Sequence, residues 1–109
     1  MDWIPLTSDQ DFEKLLQESE MQPQVIFKHS TRCSISSMAK SRIDKTPSNS
    51  AIKFHYLDLI TYRALSNKIS EHFSVYHESP QVLLIKNGTC VYDESHLSIY
   101  PEEIIEAAN

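Results

Sequence analysis

Glycine is almost absent from this chain. Ordinary usage near ~7% would give about eight glycines in a chain of this length, and the 109 residues contain one, Gly88. Phosphate cradles and dinucleotide-binding turns need several glycines so that backbone can approach the ligand closely, which excludes both motifs. Cysteine is also scarce, with only Cys33 and Cys90. A disulfide scaffold is therefore not the source of stability, and the open question is whether either thiol reacts. Ten Lys and Arg face fifteen Asp and Glu, for a net charge of −5, and no basic run interrupts the pattern. That balance argues against nucleic acid or an anionic membrane as partner. The longest apolar runs, such as Val82-Leu83-Leu84-Ile85, fall far short of the ~20 residues of a membrane-spanning helix. Asp2 and Pro5 stand where a secretion signal would carry a basic start and an apolar stretch, so the expected location is the cytoplasm. His29, His55, His72, His77 and His96 are scattered without the paired spacing of a zinc site, and no metal is expected.

No linker, repeat or charge block divides the chain, so residues 1–109 read as one unit. The first helix is expected from Asp9 to Glu20, with Ser8 and Asp11 as a capping pair and Phe12, Leu15 and Leu16 as its apolar stripe. After Pro23, Gln24–His29 reads as a strand around the β-branched Val25 and Ile26. Ile35–Ile43 reads as a helix with Met38 and Ala39 turned inward. Residues 51–58 alternate with period two as a strand. Thr61–Phe73 reads as a helix capped by Thr61. Val82–Lys86 is an apolar central strand, Asn87-Gly88 a hairpin turn that needs positive φ at both positions, and Thr89–Asp93 the returning strand. Pro101 opens a last helix, where proline and the acids Glu102 and Glu103 suit the first turn. Trp3 and Ile4 leave room for a short extra strand, but their pattern is too slight to count it. This order predicts an α/β fold with a mixed, four-stranded central sheet and helices on both faces.

Cys33 falls where a strand ends and a helix begins. Free N–H groups and the helix dipole at that position favour a thiolate, and the cation of Arg32 acts in the same direction. Ser36 stands three residues on, where a dithiol exchange protein carries its second cysteine. A Cys-x-x-Ser site suits one-cysteine exchange, in which Ser36 would donate a hydrogen bond to the thiolate but could not resolve a mixed disulfide. Ser79-Pro80 precedes the central strand, where an exchange fold often carries a cis proline. Cys90, in the edge strand away from this turn, reads as a small hydrophobe.

The segment His29-Ser30-Thr31-Arg32-Cys33-Ser34-Ile35-Ser36-Ser37 resembles the active-site motif of the monothiol bacilliredoxins, the YtxJ-type bacillithiol proteins of the thioredoxin superfamily. Tyr62–Asn67, His77–Gln81, Lys86–Gly88 and Ser95-His96 are similar to that family in the same order. The resemblance implies a thioredoxin-like fold with Pro80 as the cis proline. It also implies an activity, removal of bacillithiol from mixed disulfides on client proteins. Cys33, Arg32 and Ser36 would then be the catalytic group. Thr31, Ser34, Ser79, Pro80, Ser95 and His96 would contact substrate. No tightly bound cofactor is implied; bacillithiol, or a similar low-molecular-weight thiol, is co-substrate, and the partners are bacillithiolated proteins. The chain departs from the family at Ser34, where proline is usual. Two other readings use the same residues: a thioredoxin-fold binding module without turnover, and a glutathione-using glutaredoxin-like enzyme.

Overall fold

Two stretches of β-branched and aromatic residues, Gln24–His29 (β2) and Gln81–Lys86 (β4), are buried along nearly their whole length. Strands covered on both faces lose the simple in–out alternation, and these two lie at the middle of the sheet. The computed structural model describes residues 1–109. Its sheet has the order β1-β3-β2-β4-β5, with β1 at Trp3–Pro5, β3 at Lys53–Asp58 and β5 at Thr89–Ser95. β1 and β2 run parallel to β3, whereas β4 is antiparallel to both β2 and β5.

The expected four strands are therefore five. β1 is only three residues long and ends in Pro5, so it carries no periodic signal, and proline is tolerated there because the strand lies on an edge. Packing holds it in place. The Trp3 ring stacks on Phe27 at 5.6 Å and meets Phe54 and Tyr56 edge-on, and its indole N–H donates to Asp44 at 2.6 Å.

Helices α1 (Asp9–Glu18) and α3 (Arg63–Phe73) cover one face, while α2 (Ser34–Asp44) and α4 (Pro101–Ala108) cover the other. Phe12, Leu15, Ile26, Leu57, Ile69 and Leu83 form the core on the first face. Val25, Phe27, Ala39, Ile43, Phe54 and Leu84 form it on the second. Each of these side chains larger than alanine contributes about 1.5–3 kcal/mol by leaving water. The capping pair of α1 is present, with the Asp11 N–H donating to Ser8 Oγ at 3.1 Å and the Thr7 N–H to the Asp11 carboxylate at 3.0 Å. The helix ends two residues before its expected limit. Ser19 is drawn away by the hairpin: its carbonyl accepts from Asn87 N–H and its Oγ from Gly88 N–H. Asn87 and Gly88 both have positive φ, 53° and 73°, as the Asn-Gly turn requires.

Two other local expectations change. Met38 is exposed, and α2 buries Ser36, Ala39 and Ile43 instead, the i, i+3, i+7 set of one helical face. Thr61 does not cap α3, because Asp58 engages it first: the Asp58 carboxylate accepts from Ile60 N–H, Thr61 N–H and Thr61 Oγ–H. Helix α3 then starts from Tyr62.

Candidate functional site

Cys33 is the residue before α2, with φ −112° and ψ 121°, and its carbonyl accepts the first helical N–H, that of Ser37, at 3.1 Å. Its own N–H donates to Ser30 O at 3.2 Å, closing the turn that leaves β2. The thiol is half-buried and free, and no side chain hydrogen-bonds it. Cys33 thus precedes a helix start whose first N–H groups have no intrahelical acceptor, and its side chain makes no capping bond to them. Arg32 and Thr31 are both exposed. Arg32 has no carboxylate within salt-bridge reach, so its charge is not neutralised by a neighbour.

The expected hydrogen bond from Ser36 to Cys33 is not formed. Ser36 is fully buried. Its hydroxyl oxygen accepts from Ser30 N–H at 3.0 Å and lies 2.6 Å from His29 Nδ1. The physical reason is helix geometry. Ser36 lies on the inward face of α2, over the end of β2, whereas Cys33 precedes the helix at its open end. Ser34, the first helical residue, is exposed.

The proline element reaches the same end of the sheet. Lys28 pairs with Gln81, so the residue before β4 meets β2 where β2 runs into the Cys33 turn. The Ser79-Pro80 bond is cis. Pro80 O accepts from His96 N–H at 3.0 Å, whereas the N–H and carbonyl of Ser79 make no hydrogen bond. Ser95 pairs with Gln81 across β4 and β5. His96, with φ 56°, begins a single 3-10 turn through Ser98 and places Nε2 3.1 Å from Glu78 Oε2. That turn is tied to α2 by Arg42, which donates to the carbonyls of Leu97 and Ile99. Ser79, Pro80, Ser95 and His96 thus form one cluster at the Cys33 end of the sheet.

Sequence reasoning missed His29 and Lys28 as parts of this region. His29 is almost fully buried, stacked on Phe27 at 5.6 Å and tilted against Tyr56 at 5.6 Å. Burial and the Lys40 cation push its pKa below the ordinary value, against the opposing pull of Asp58 and Asp44. Lys28 is fully buried on the opposite face, where its ammonium donates to Ser66 O at 3.0 Å and Ser70 Oγ at 2.7 Å. Burial, with Arg63 adding repulsion, lowers its pKa to about 8. A polar residue inside an apolar strand was the available signal for both.

No three metal-ligating side chains converge anywhere in the fold, and no helix is long and apolar enough to cross a membrane. The larger concavities, of about 410 and 500 Å³, are lined by residues remote from the thiol, including Ile4 and Ser48–Lys53 in one and Arg42, Pro47 and Tyr100 in the other. None of the concavities includes the half-buried Cys33.

Comparison with solved structures agrees with this architecture. A protein with a thioredoxin fold, described as a candidate oxidoreductase, superposes with a TM-score of 0.86 at 30% identity, over 98% of this chain and 94% of that one. The thioredoxin of Trypanosoma brucei brucei gives a TM-score of 0.77 at 13% identity, covering 97% of this chain and 87% of its own. A Schistosoma mansoni thioredoxin pre-protein gives 0.72 at 23% identity over the whole of both chains. At those identities the two thioredoxins speak for the fold alone. A family model described as monothiol bacilliredoxin BrxC matches residues 4–104. That span takes in the cysteine turn, the cis proline and the Ser95-His96 corner together, and with it the chain belongs to the monothiol bacilliredoxin family, thiol–disulfide redox proteins of the thioredoxin superfamily.

Proposed function

We propose that this protein removes bacillithiol, or a similar low-molecular-weight thiol, from mixed disulfides on cytoplasmic client proteins, using Cys33 alone. The observation that carries the reading is the lone thiol of Cys33 at the open start of α2, with serine three residues on and no second cysteine near it.

In the first step the Cys33 thiolate attacks the small-thiol sulfur of the client disulfide. A new S–S bond forms to that sulfur, the old one breaks, and the client sulfur leaves as thiolate and takes a proton from solvent. In the second step another low-molecular-weight thiolate attacks the adduct, yielding its own disulfide and restoring Cys33. No metal or bound cofactor enters either step. The exposed cation of Arg32 and the first N–H groups of α2 lie at the same turn as the reacting sulfur. The unpaired N–H and carbonyl of Ser79 are the backbone groups offered to a client segment, since Pro80 O is already held by His96. Ser34, Thr31, Ser95 and His96 border the position of the small thiol in this reading, with His96 acting through the corner it forms with Glu78.

The test is release of bacillithiol from a bacillithiolated client, followed by mass spectrometry, with wild type and Cys33→Ala in parallel. The proposal expects release by wild type only, and faster release from the bacillithiol disulfide than from a glutathione disulfide of the same client. Equal release by both proteins would contradict it.

A further inference from the structure

Ser36 occupies the serine position of Cys-x-x-Ser, yet its hydroxyl is spent elsewhere. It accepts from Ser30 N–H at 3.0 Å, so its one proton is free for a single acceptor, and His29 Nδ1 lies 2.6 Å away. No other acceptor reaches the hydroxyl. The assignment that satisfies both groups has Ser36 O–H donating to Nδ1 and the imidazole proton on Nε2. A continuous chain results: Ser36 O–H to His29 Nδ1, Ser30 N–H to Ser36 Oγ, and Cys33 N–H to Ser30 O at 3.2 Å. The imidazole is itself fixed, between the Phe27 and Tyr56 rings on neighbouring strands, and Asp58 is its register partner on β3. The charged groups around it are Asp58 on β3 and Lys40 and Asp44 on α2.

We infer that His29 and Ser36 act as one positioning unit for Cys33, the imidazole holding the serine hydroxyl and the hydroxyl holding the turn that presents the sulfur. Ser36 is in this account a strut beneath the turn, and the chemical class served is any electrophilic sulfur presented to Cys33. The inference deepens the thiol-exchange reading and rests on it for its biological use. Its structural content can be measured without any small thiol.

The experiment is the rate of Cys33 alkylation by iodoacetamide at pH 7 in a Cys90→Ala background, with thermal melting of each variant to keep every assay on folded protein. His29→Phe keeps an aromatic ring in the slot and loses the acceptor. His29→Asn loses ring volume and keeps an acceptor near the Nδ1 position. The expected result is that His29→Phe and Ser36→Ala each slow alkylation about 3- to 10-fold, the weight of one buried hydrogen bond. The double variant is expected to be no slower than either single one, because both remove the same link. His29→Asn is expected to stay within about 2-fold of the parent. Slowing by Ser36→Ala without slowing by His29→Phe would overturn the inference, because the serine would then act directly on sulfur. A fast His29→Phe with a slow His29→Asn would also overturn it, since ring volume alone would explain His29. Should Ser36→Ala fail to fold, the His29 pair decides. Loss of bacillithiol transfer with this coupling intact would overturn the proposed substrate and leave the positioning unit standing.

Discussion

Lys28 Nζ lies 2.7 Å from Ser70 Oγ, 3.0 Å from Ser66 O and 3.4 Å from His77 Nδ1, and no carboxylate pairs with this fully buried ammonium. Its pKa is lowered to about 8, by burial first and by Arg63 second. The unfolded chain would hold its proton to near 10.4. Between those values the unfolded state binds more protons than the native one, so this group makes the fold more stable as pH rises. The stability difference between wild type and Lys28→Met, measured by urea unfolding, is expected to shift in favour of wild type by about 2–3 kcal/mol from pH 8 to pH 10.5. A difference that stays flat across this range would contradict the assignment.

His55 has the opposite consequence at low pH. Its Nε2–H donates to Gln24 Oε1 at 2.7 Å within the core, and burial lowers its pKa to about 4. Because the folded value lies below the unfolded one of about 6.5, stability is fully present above pH 6.5 and is lost as pH falls toward 4. The loss from this side chain is about 2–3 kcal/mol, and the lowered pKa of His29 acts in the same direction. Urea midpoints for His55→Gln are expected to fall less steeply over that window than those of wild type.

Ser34 is the position where the chain departs from the usual proline of its family, and the backbone accepts either residue. Ser34 is the first residue of α2, where proline loses no helical hydrogen bond. Cys33, with φ −112° and ψ 121°, already has the extended conformation that a following proline demands. Ser34→Pro is expected to stabilise the protein by about 0.4–1 kcal/mol through the unfolded chain, raising Tm by a few degrees in a melting scan. A lower Tm would show that the serine contributes contacts of its own.

The two thiols lie at opposite ends of the sheet. Cys90 pairs with Ile85, which pairs with Gln24 at the start of β2, whereas Cys33 follows its end. Six residues of β2 set the two cysteines at least about 16 Å apart, beyond the ~7 Å Cα limit of a disulfide. Burial also raises the pKa of the Cys90 thiol, with Asp93 adding to it. Diamide treatment of the monomer, read by intact mass, is expected to give no internal disulfide.

The fold was largely legible because most of its signals are local. The Ser8 cap, the Asn87-Gly88 turn and Pro101 at a helix start each act within a few residues, and each stands where its chemistry puts it. β1 was missed because its stability comes from Trp3 meeting Phe27, Phe54 and Tyr56, contacts made only after the sheet assembles. The same distinction separates the parts of the site. Cys33 and Ser36 are marked by spacing along one turn, and the cis bond at Pro80 by its place before a strand. The direction of the Ser36 hydroxyl depends on the face of α2 that packs over His29, and spacing does not carry that information. Lys28 and His29 close the strand read over Gln24–His29, and their partners lie on α3 and α2, which a strand pattern does not carry.

The central claim is that Cys33 alone receives the small thiol. Its most direct test is the intact and peptide mass of the reduced protein after brief incubation with a bacillithiolated client. The account predicts a single bacillithiol adduct, mapped to Cys33, which disappears on adding a second low-molecular-weight thiol and is absent from Cys33→Ala. An adduct on Cys90, or client thiol released with no adduct on Cys33, would contradict it.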